Sequence, residues 1–471
     1  MTTQPQIQQL ETIAAISTSM GEGGLSMVRL SGIDAVKIAS EIYRTPKGAS
    51  KQRFASRHAT FGHAVDETGG RIDEIIITIM ESPKTYTRED IAEITCHGGP
   101  VVVKKILNRA LALGARMAQP GEFSKRAFLN GRIDLLQAEA IIDMIRARSE
   151  KGWKTAFSQL DGRLSQRLSH IENELITVIA DMEASIDFPE EEIEIARDDE
   201  VKSKLTALKM SIEEMIATYG IGRIYRDGIS VAIIGRPNVG KSSLMNALLE
   251  RERVIVTPHP GTTRDTVEET LQIEGISIKI IDTAGLRQTE DMAEAMGVER
   301  SMLAAKESDV ALFIFDGSEP LTQEDRDLIT HIGGPGDLSG REIIPALNKS
   351  DRAQIAEADE IVRIMGREPV RISAKTGEGL AELRKKMVER IEAKGELAGD
   401  GPPLTRERHL EQLRKMAQSV ECAITAIDNG MSREFVAADL ASAKESLEEL
   451  TGKVVSEQVL DKIFNDFCIG K

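Results

Sequence analysis

Between residues 8 and 99 apolar and polar positions alternate in short runs separated by turn residues: TIAAIST, GLSMVRLSG, RHATFGHAV, EIIITIME and IAEITCHGG. A period of two with β-branched residues predicts strands, since alternate side chains then face one core. A helix is predicted over 100–113, and the whole reads as a compact α+β domain ending near Phe123. From Asp134 the spacing lengthens to three and four. Leu135, Ile141, Ile142 and Ile145, then Leu160, Leu164, Leu168, Ile171 and Leu175, mark helices that Pro189 brings to a stop. A further helix is predicted over roughly 201–218. Strands and helices alternate from Ile229 to about Arg390, the α/β signature. After KGELAGDGPP (394–403), Leu410, Leu413, Met416, Val420, Ile424 and Ile427 form one more helical stripe. The helices of 134–220 and 404–471 are expected to pack together, with the α/β domain inserted between them.

Length and composition support several soluble domains. The chain has 471 residues, 41% hydrophobic and 29% charged, and about three domains are expected at that length. No apolar run approaches the roughly 20 residues of a membrane helix, and MTTQPQIQQLET lacks the features of a secretory signal. Cys96, Cys422 and Cys468 are too scattered for a disulfide framework or a zinc site. A cytoplasmic setting is expected, with Cys96 and Cys422 as inert core residues. The net charge of −16 argues against general phosphate-backbone binding. Residues 101–170 run the other way, with 13 Lys or Arg against 6 Asp or Glu. An RNA contact, if present, is expected there.

The most informative chemistry begins at residue 235. GRPNVGKS (235–242) fits G-x4-G-K-S/T, preceded by strand-like ISVAII and followed by helix-like KSSLMNALLE. In this context the backbone N–H groups of Asn238, Val239, Gly240, Lys241, Ser242 and Ser243 can cradle phosphates. Lys241 would reach the β and γ phosphates and the Ser242 hydroxyl would hold Mg²⁺. Asp282-Thr283-Ala284-Gly285 follows the strand SIKII and brings a carboxylate towards Mg²⁺. Asn348-Lys349-Ser350-Asp351 follows IIPAL, and a buried Asp351 would choose guanine by accepting from its N1–H and amino group. Ser373-Ala374-Lys375 follows PVRI and supports the base. Four motifs in this order predict a P-loop GTPase domain of Ras-like α/β fold. Leu286 stands where Ras-like GTPases place a water-orienting Gln; without that group or an extra positive charge, which is worth roughly 10³–10⁵ in rate, hydrolysis should be slow, and something else must supply it.

The chain resembles the MnmE (TrmE) family of tRNA uridine-modifying GTPases over essentially its whole length. The resemblance rests on GRPNVGKSSLMNAL (235–248), PGTTRD (260–265), DTAGLR (282–287), GEFSKRAFLNGRIDLLQAEA (121–140) and FCIGK (467–471). It implies a multidomain α/β and α+β architecture: a folate-binding-like, dimerising α+β domain (1–123), a discontinuous all-α helical domain (124–225 and 393–471) and the inserted GTPase domain (226–392). It implies K⁺ activation through Asn238 and the loop from Thr257 to Thr262, with His259 contributing backbone, and Thr263 beside Ser242 at Mg²⁺. Glu294 matches the family's general base; read by itself it is a solvated surface residue. Arg29, Glu93, Arg132 and Lys471 match positions for 5-formyl- or 5,10-methylene-tetrahydrofolate, although unaided Arg29 and Glu93 read as strand-surface residues. Two positions depart from the family pattern: SMGEGG stands where relatives read PPGRGG, and Arg132 where lysine is common.

Cys468 has three readings: a prenylation box, which Gly470 and Lys471 disfavour; a small residue packed beside Phe464 and Phe467; or, by resemblance, a residue needed for the modification chemistry. The family further implies a homodimer and a heterotetramer with an FAD-dependent MnmG (GidA) protein, acting on tRNA at C5 of a wobble uridine. A ribosome-assembly GTPase would carry a basic KH-type module after the GTPase domain, a pattern absent from 404–471. A self-assembling regulatory GTPase would leave the tail without a role.

Overall fold

The computed structural model describes residues 11–187, 197–252, 269–282, 308–333, 342–392 and 401–471. The chain divides into two compact units, Met1–Ile142 with Glu448–Lys471, and Asp143–Leu447.

The first unit is built on seven strands, β1 (Ile13–Ile16), β2 (Gly23–Ser31), β3 (Tyr43–Arg44), β4 (Ala59–Val65), β5 (Arg71–Met80), β6 (Ile91–Gly98) and β7 (Arg116–Met117), in the order β3-β4-β5-β6-β2-β1-β7. All neighbours are antiparallel except β1 and β7. Along β5, Ile75, Ile77 and Ile79 are buried while Ile76 is exposed, so alternation selects one face. Helices α1 (Ala35–Ile42) and α2 (Pro100–Ala112) cover that face. Proline at the first helical position of α2 loses no hydrogen bond there, because that N–H has no partner within the helix. The sequence pattern predicted only strands before residue 99, yet α1 lies within that stretch. Ala35, Ile38, Ala39 and Ile42 are its buried stripe, too short to stand out against the alternation around it. The unit continues into α3 (Glu122–Leu129) and α4 (Leu135–Arg146) as far as Ile142; the last turn of α4, from Asp143, belongs to the second unit.

The second unit opens with α5 (Glu150–Leu160), α6 (Arg163–Asp187), α7 (Asp198–Ala217) and α8 (Tyr219–Asp227). A six-stranded sheet follows, in the order β13-β12-β11-β8-β10-β9. Its strands are β8 (Ile229–Ile234), β9 (Glu269–Ile273), β10 (Ile276–Asp282), β11 (Val310–Asp316), β12 (Glu342–Asn348) and β13 (Val370–Arg371), parallel apart from the edge strand β9. Central β11 is buried along its whole length, as expected of a parallel strand covered on both faces. Helices α9 (Lys241–Glu252), α10 (Gln323–Gly333), α11 (Ala358–Met365) and α12 (Leu380–Glu392) alternate with the strands. Then come α13 (Glu407–Asp428) and α14 (Arg433–Thr451).

The helical stretches on either side of the sheet do pack together. Val201, Leu205, Leu208 and Ile212 of α7 and Leu410, Leu413, Met416 and Val420 of α13 are buried. Full burial of such a side chain is worth about 1.5–3 kcal/mol. The flanking ion pairs Lys202–Asp428 (2.5 Å) and Lys209–Glu421 (2.6 Å) are partly exposed and add far less. One expectation fails here. Cys422 is an exposed residue of α13 rather than core, because the buried stripe passes through Val420, Ala423 and Ile424 and leaves it outside. Cys96 is buried as expected, and burial, followed by the Asp73 carboxylate, pushes its thiol up to about 11.

The chain ends in the first unit, with α15 (Glu457–Asn465) and the tail Phe467–Lys471. Among the described residues no helix is long and apolar enough to cross a membrane.

Candidate nucleotide site and tail site

The loop 235–240 leaves the carboxyl end of β8, between β11 on one side and β10 on the other. The chain turns to opposite sides of the sheet there, the position where open α/β sheets form a ligand crevice. Asn238, exposed at the loop's apex, has φ +64°, a left-handed conformation that asparagine tolerates better than most residues. Gly240 has φ +102°, and a side chain at this position would run into the Asn348 amide. Lys241 folds back over the loop, its Nζ donating to the carbonyls of Gly235 (2.6 Å) and Arg236 (3.0 Å). The Ser242 and Ser243 side chains are exposed in the first turn of α9. The N–H groups of that turn point out of the helix, which suits an anion.

Asn348 joins the loop to the base-side motifs. Its Nδ2 donates to Val239 O at 2.8 Å, and its Oδ1 accepts from Ala374 N at 2.9 Å. The residue is 2% exposed, so both bonds lie away from water. Lys349, at φ +67°, pairs with Asp316. Burial alone would push the Asp316 carboxyl up, but Lys349 and the Ser318 hydroxyl and amide outweigh it and hold it below the usual range. Asp316 was not foreseen; its signal was an aspartate closing the apolar run VALFIFD. Asp351, expected to be buried, is exposed, because it stands in the turn beyond the carboxyl end of β12. Ser373 Oγ donates to its Oδ1 at 2.6 Å and lowers its pKa. Asp282 ends β10, in register with Ile233 of β8. Thr257, His259, Thr262, Thr263, Thr283, Ala284, Gly285 and Glu294 lie outside the described residues.

The second site is in the first unit. Arg29 on β2 and Glu93 on β6 are cross-strand partners, joined by Nε to Oε1 at 2.9 Å and Nη2 to Oε1 at 2.8 Å. The Arg29 guanidinium lies 5.7 Å from the centroids of both Tyr86 and Phe123, and exposed Arg132 lies 4.7 Å from the Tyr86 ring. The tail runs into this corner. Pro120 and Ile469 form a β-bridge, Phe123 N donates to Lys471 O at 3.1 Å, and Ser17 Oγ donates to Gly470 O at 3.0 Å. Gly470 has φ +95°, and any side chain on it would strike the carbonyl of Ile16. Phe464 and Phe467 are buried, anchoring the tail, while Cys468 between them and the terminus is exposed. That excludes core packing as its role. Lys471 is half-buried; burial and then Arg29 lower its pKa, with Cys468 acting weakly the other way. Arg29, Glu93, Arg132 and Lys471 thus belong to one unit, with Tyr86, Ser17 and Gly470 as members that sequence reasoning missed.

The whole-chain comparison decides the family. A chain from Geobacillus thermodenitrificans described as "tRNA modification GTPase MnmE" is 43% identical over 467 residues, covering 98% of this chain and 100% of the relative. The chain belongs to the MnmE family. A Bacillus subtilis MnmE is 40% identical with the same coverage. The family descriptions "MnmE helical domain" and "GTP-binding protein TrmE N-terminus" match residues 135–468 and 12–132. As an MnmE-family protein the chain is a GTPase of tRNA modification, with an N-terminal domain, a helical domain and a GTPase domain. Among solved structures, the G domain of the T. maritima FeoB iron transporter is 30% identical, covering 34% of this chain and 97% of its own, with a TM-score of 0.26.

Proposed function

We propose that this chain, as a cytoplasmic homodimer, uses GTP turnover to time the installation of a carboxymethylaminomethyl or aminomethyl group at C5 of a wobble uridine in tRNA. An FAD-dependent MnmG-family protein completes a heterotetramer and supplies the redox step, and a tetrahydrofolate carries the one-carbon unit. The observation that carries the reading is the tail, threaded into the N-terminal unit so that exposed Cys468 belongs to the same unit as Arg29, Glu93, Arg132 and Lys471. Two guanidinium groups and an ammonium suit the glutamate carboxylates of a folate, Glu93 suits pterin N–H donors, and Tyr86 offers a ring for stacking.

In the GTPase domain the backbone of 238–243 and Lys241 hold the phosphates, Asp351 and Ser373 select guanine, and Ser242, Thr263 and Asp282 hold Mg²⁺. Asn238, Thr257, His259 and Thr262 hold K⁺; Asn238 suits this role, since the left-handed turn leaves its carboxamide exposed at the loop's apex. A monovalent cation held there would place positive charge against the phosphates, where Leu286 offers no water-orienting group. Glu294 acts as general base through water. Domain movement on turnover then times the chemistry at the tail.

The test is nucleoside mass spectrometry of tRNA from cells lacking the gene. The 5-substituted wobble uridine should vanish and return with the wild-type gene; an unchanged profile in the deletion would overturn the reading. Equal GTP hydrolysis in Na⁺ and K⁺ would remove the cation assignment.

A further inference from the structure

Helix α8 is the chain's passage into the nucleotide sheet, since Gly228 follows it and β8 begins at Ile229. Two of its arginines, about one turn apart in its second half, are engaged by different parts of the structure. Arg223 Nη2 donates to Asp309 Oδ1 at 2.7 Å. Asp309 is tied in turn to β8, its Oδ2 accepting from Ser230 N (2.9 Å) and Ser230 Oγ (2.8 Å) while its own N–H donates to Ser230 Oγ (2.9 Å). Asp309 stands immediately before β11, and Ser230 lies in the strand that leads into the phosphate loop. One helical step along, Arg226 Nε donates to Asp143 Oδ1 at 3.0 Å. Asp143 also accepts from Arg406, at 2.6 Å from Nη2 and 3.2 Å from Nε. Arg406 precedes α13, where the chain has left the nucleotide domain. One buried carboxylate therefore holds the chain on both sides of the insertion.

Close backbone packing leaves α8 little room to slide. A side chain on Gly222 would run into Leu404 O, and one on Gly152 of α5 into Tyr225 O. Leu404 N donates to Thr218 Oγ1 at 2.9 Å, fixing the returning chain against the start of α8. A helix so held, with both networks on one turn, is placed where a displacement of the sheet would bear on the frame.

We propose that α8 couples GTP turnover to the helical frame, with Arg223 and Asp309 as positioning residues towards the nucleotide sheet and Arg226, Asp143 and Arg406 as positioning residues towards the frame. The inference rests on the proposed function, in which turnover times the modification. The Arg223 and Asp309 side chains are 40% and 28% exposed, and a partly exposed pair contributes little to stability. Its removal should therefore change coupling rather than folding.

The test compares the wild type, Arg223→Gln and Arg223→Lys as full-length proteins, by GTP hydrolysis and melting temperature in vitro and by wobble-nucleoside content in cells lacking the gene. Arg223→Gln should lower the modified fraction by roughly tenfold, the scale of an ordinary coupling energy, while hydrolysis and melting stay unchanged. Arg223→Lys, which keeps the charge, should recover most of the modification. Wild-type modification with Arg223→Gln would overturn the proposal, and so would a parallel fall in hydrolysis and modification. If Arg223→Gln does not fold, Arg226→Gln offers the same separation of readouts, and failure to separate them there is equally decisive. A wild-type gene that restores no nucleoside would remove the proposed function itself, and the coupling with it.

Discussion

The nucleotide site and the tail site are built in opposite ways. In the first, the motifs are continuous runs of three to eight residues, each leaving the carboxyl end of a strand, and the proposed phosphate contacts are largely backbone groups. In the second, Arg29, Glu93, Tyr86 and Phe123 come from different elements, and Gly470 joins them from the far end of the chain. A loop that binds through its backbone must keep its spacing and so leaves a motif. A site assembled from side chains across a sheet leaves only isolated residues.

The largest effect expected separates the two sites from the nucleotide side. Asn348→Ala strands the carbonyl of Val239 and the amide of Ala374, each worth about 1–3 kcal/mol when buried without a partner. GTP affinity should fall by about a hundredfold in a binding titration, on the same scale of energy, while the first unit keeps its fold. A change of threefold or less would mean that Asn348 does not tie the loop to the base motifs.

Gly470→Ala approaches the comparison from the other side. It forces a side chain into a left-handed position, at about 1–3 kcal/mol, and into the Ile16 carbonyl. Wobble modification should be largely lost with GTP hydrolysis intact; retention of both would show that the tail need not sit where Ser17 holds it.

A smaller effect follows from Lys471, whose pKa is lowered in the fold. Between its folded pKa and the ordinary lysine value the unfolded chain binds the proton that the folded chain has lost. The contribution of Lys471 to stability should therefore rise with pH across that window. In melting curves against pH, the melting temperature of the wild type minus that of Lys471→Met should rise across the window; a difference independent of pH would contradict this. The smallest effect is that of Cys422→Ser: the thiol is exposed on α13, and the substitution should leave melting, hydrolysis and modification unchanged.

The same contrast explains what the sequence could tell. The helices on either side of the insertion were legible because Leu205, Leu208 and Ile212 and their counterparts Leu413, Met416 and Val420 repeat every three or four residues and must find a partner. The four nucleotide motifs were legible through order and context. Helix α1 was missed because eight residues give only two turns of period. Asp351 was expected to be buried because its chemistry, not its place beyond a strand end, set the expectation. The α8 network could not be read at all: Arg223, Asp309, Asp143 and Arg406 are ordinary charges until the fold brings them together. The tail residues were found through family likeness alone, since nothing in FCIGK states that Gly470 fits only against Ile16.

The most direct test of the account, in which two separately built sites serve one reaction, is Cys468→Ser. Purified full-length protein would be measured for K⁺-stimulated GTP hydrolysis, and tRNA from cells carrying only this variant for the 5-substituted wobble uridine. The account predicts wild-type hydrolysis with the nucleoside absent. A normal nucleoside content would contradict it, because the exposed tail cysteine would then have no part in the reaction that the GTPase serves.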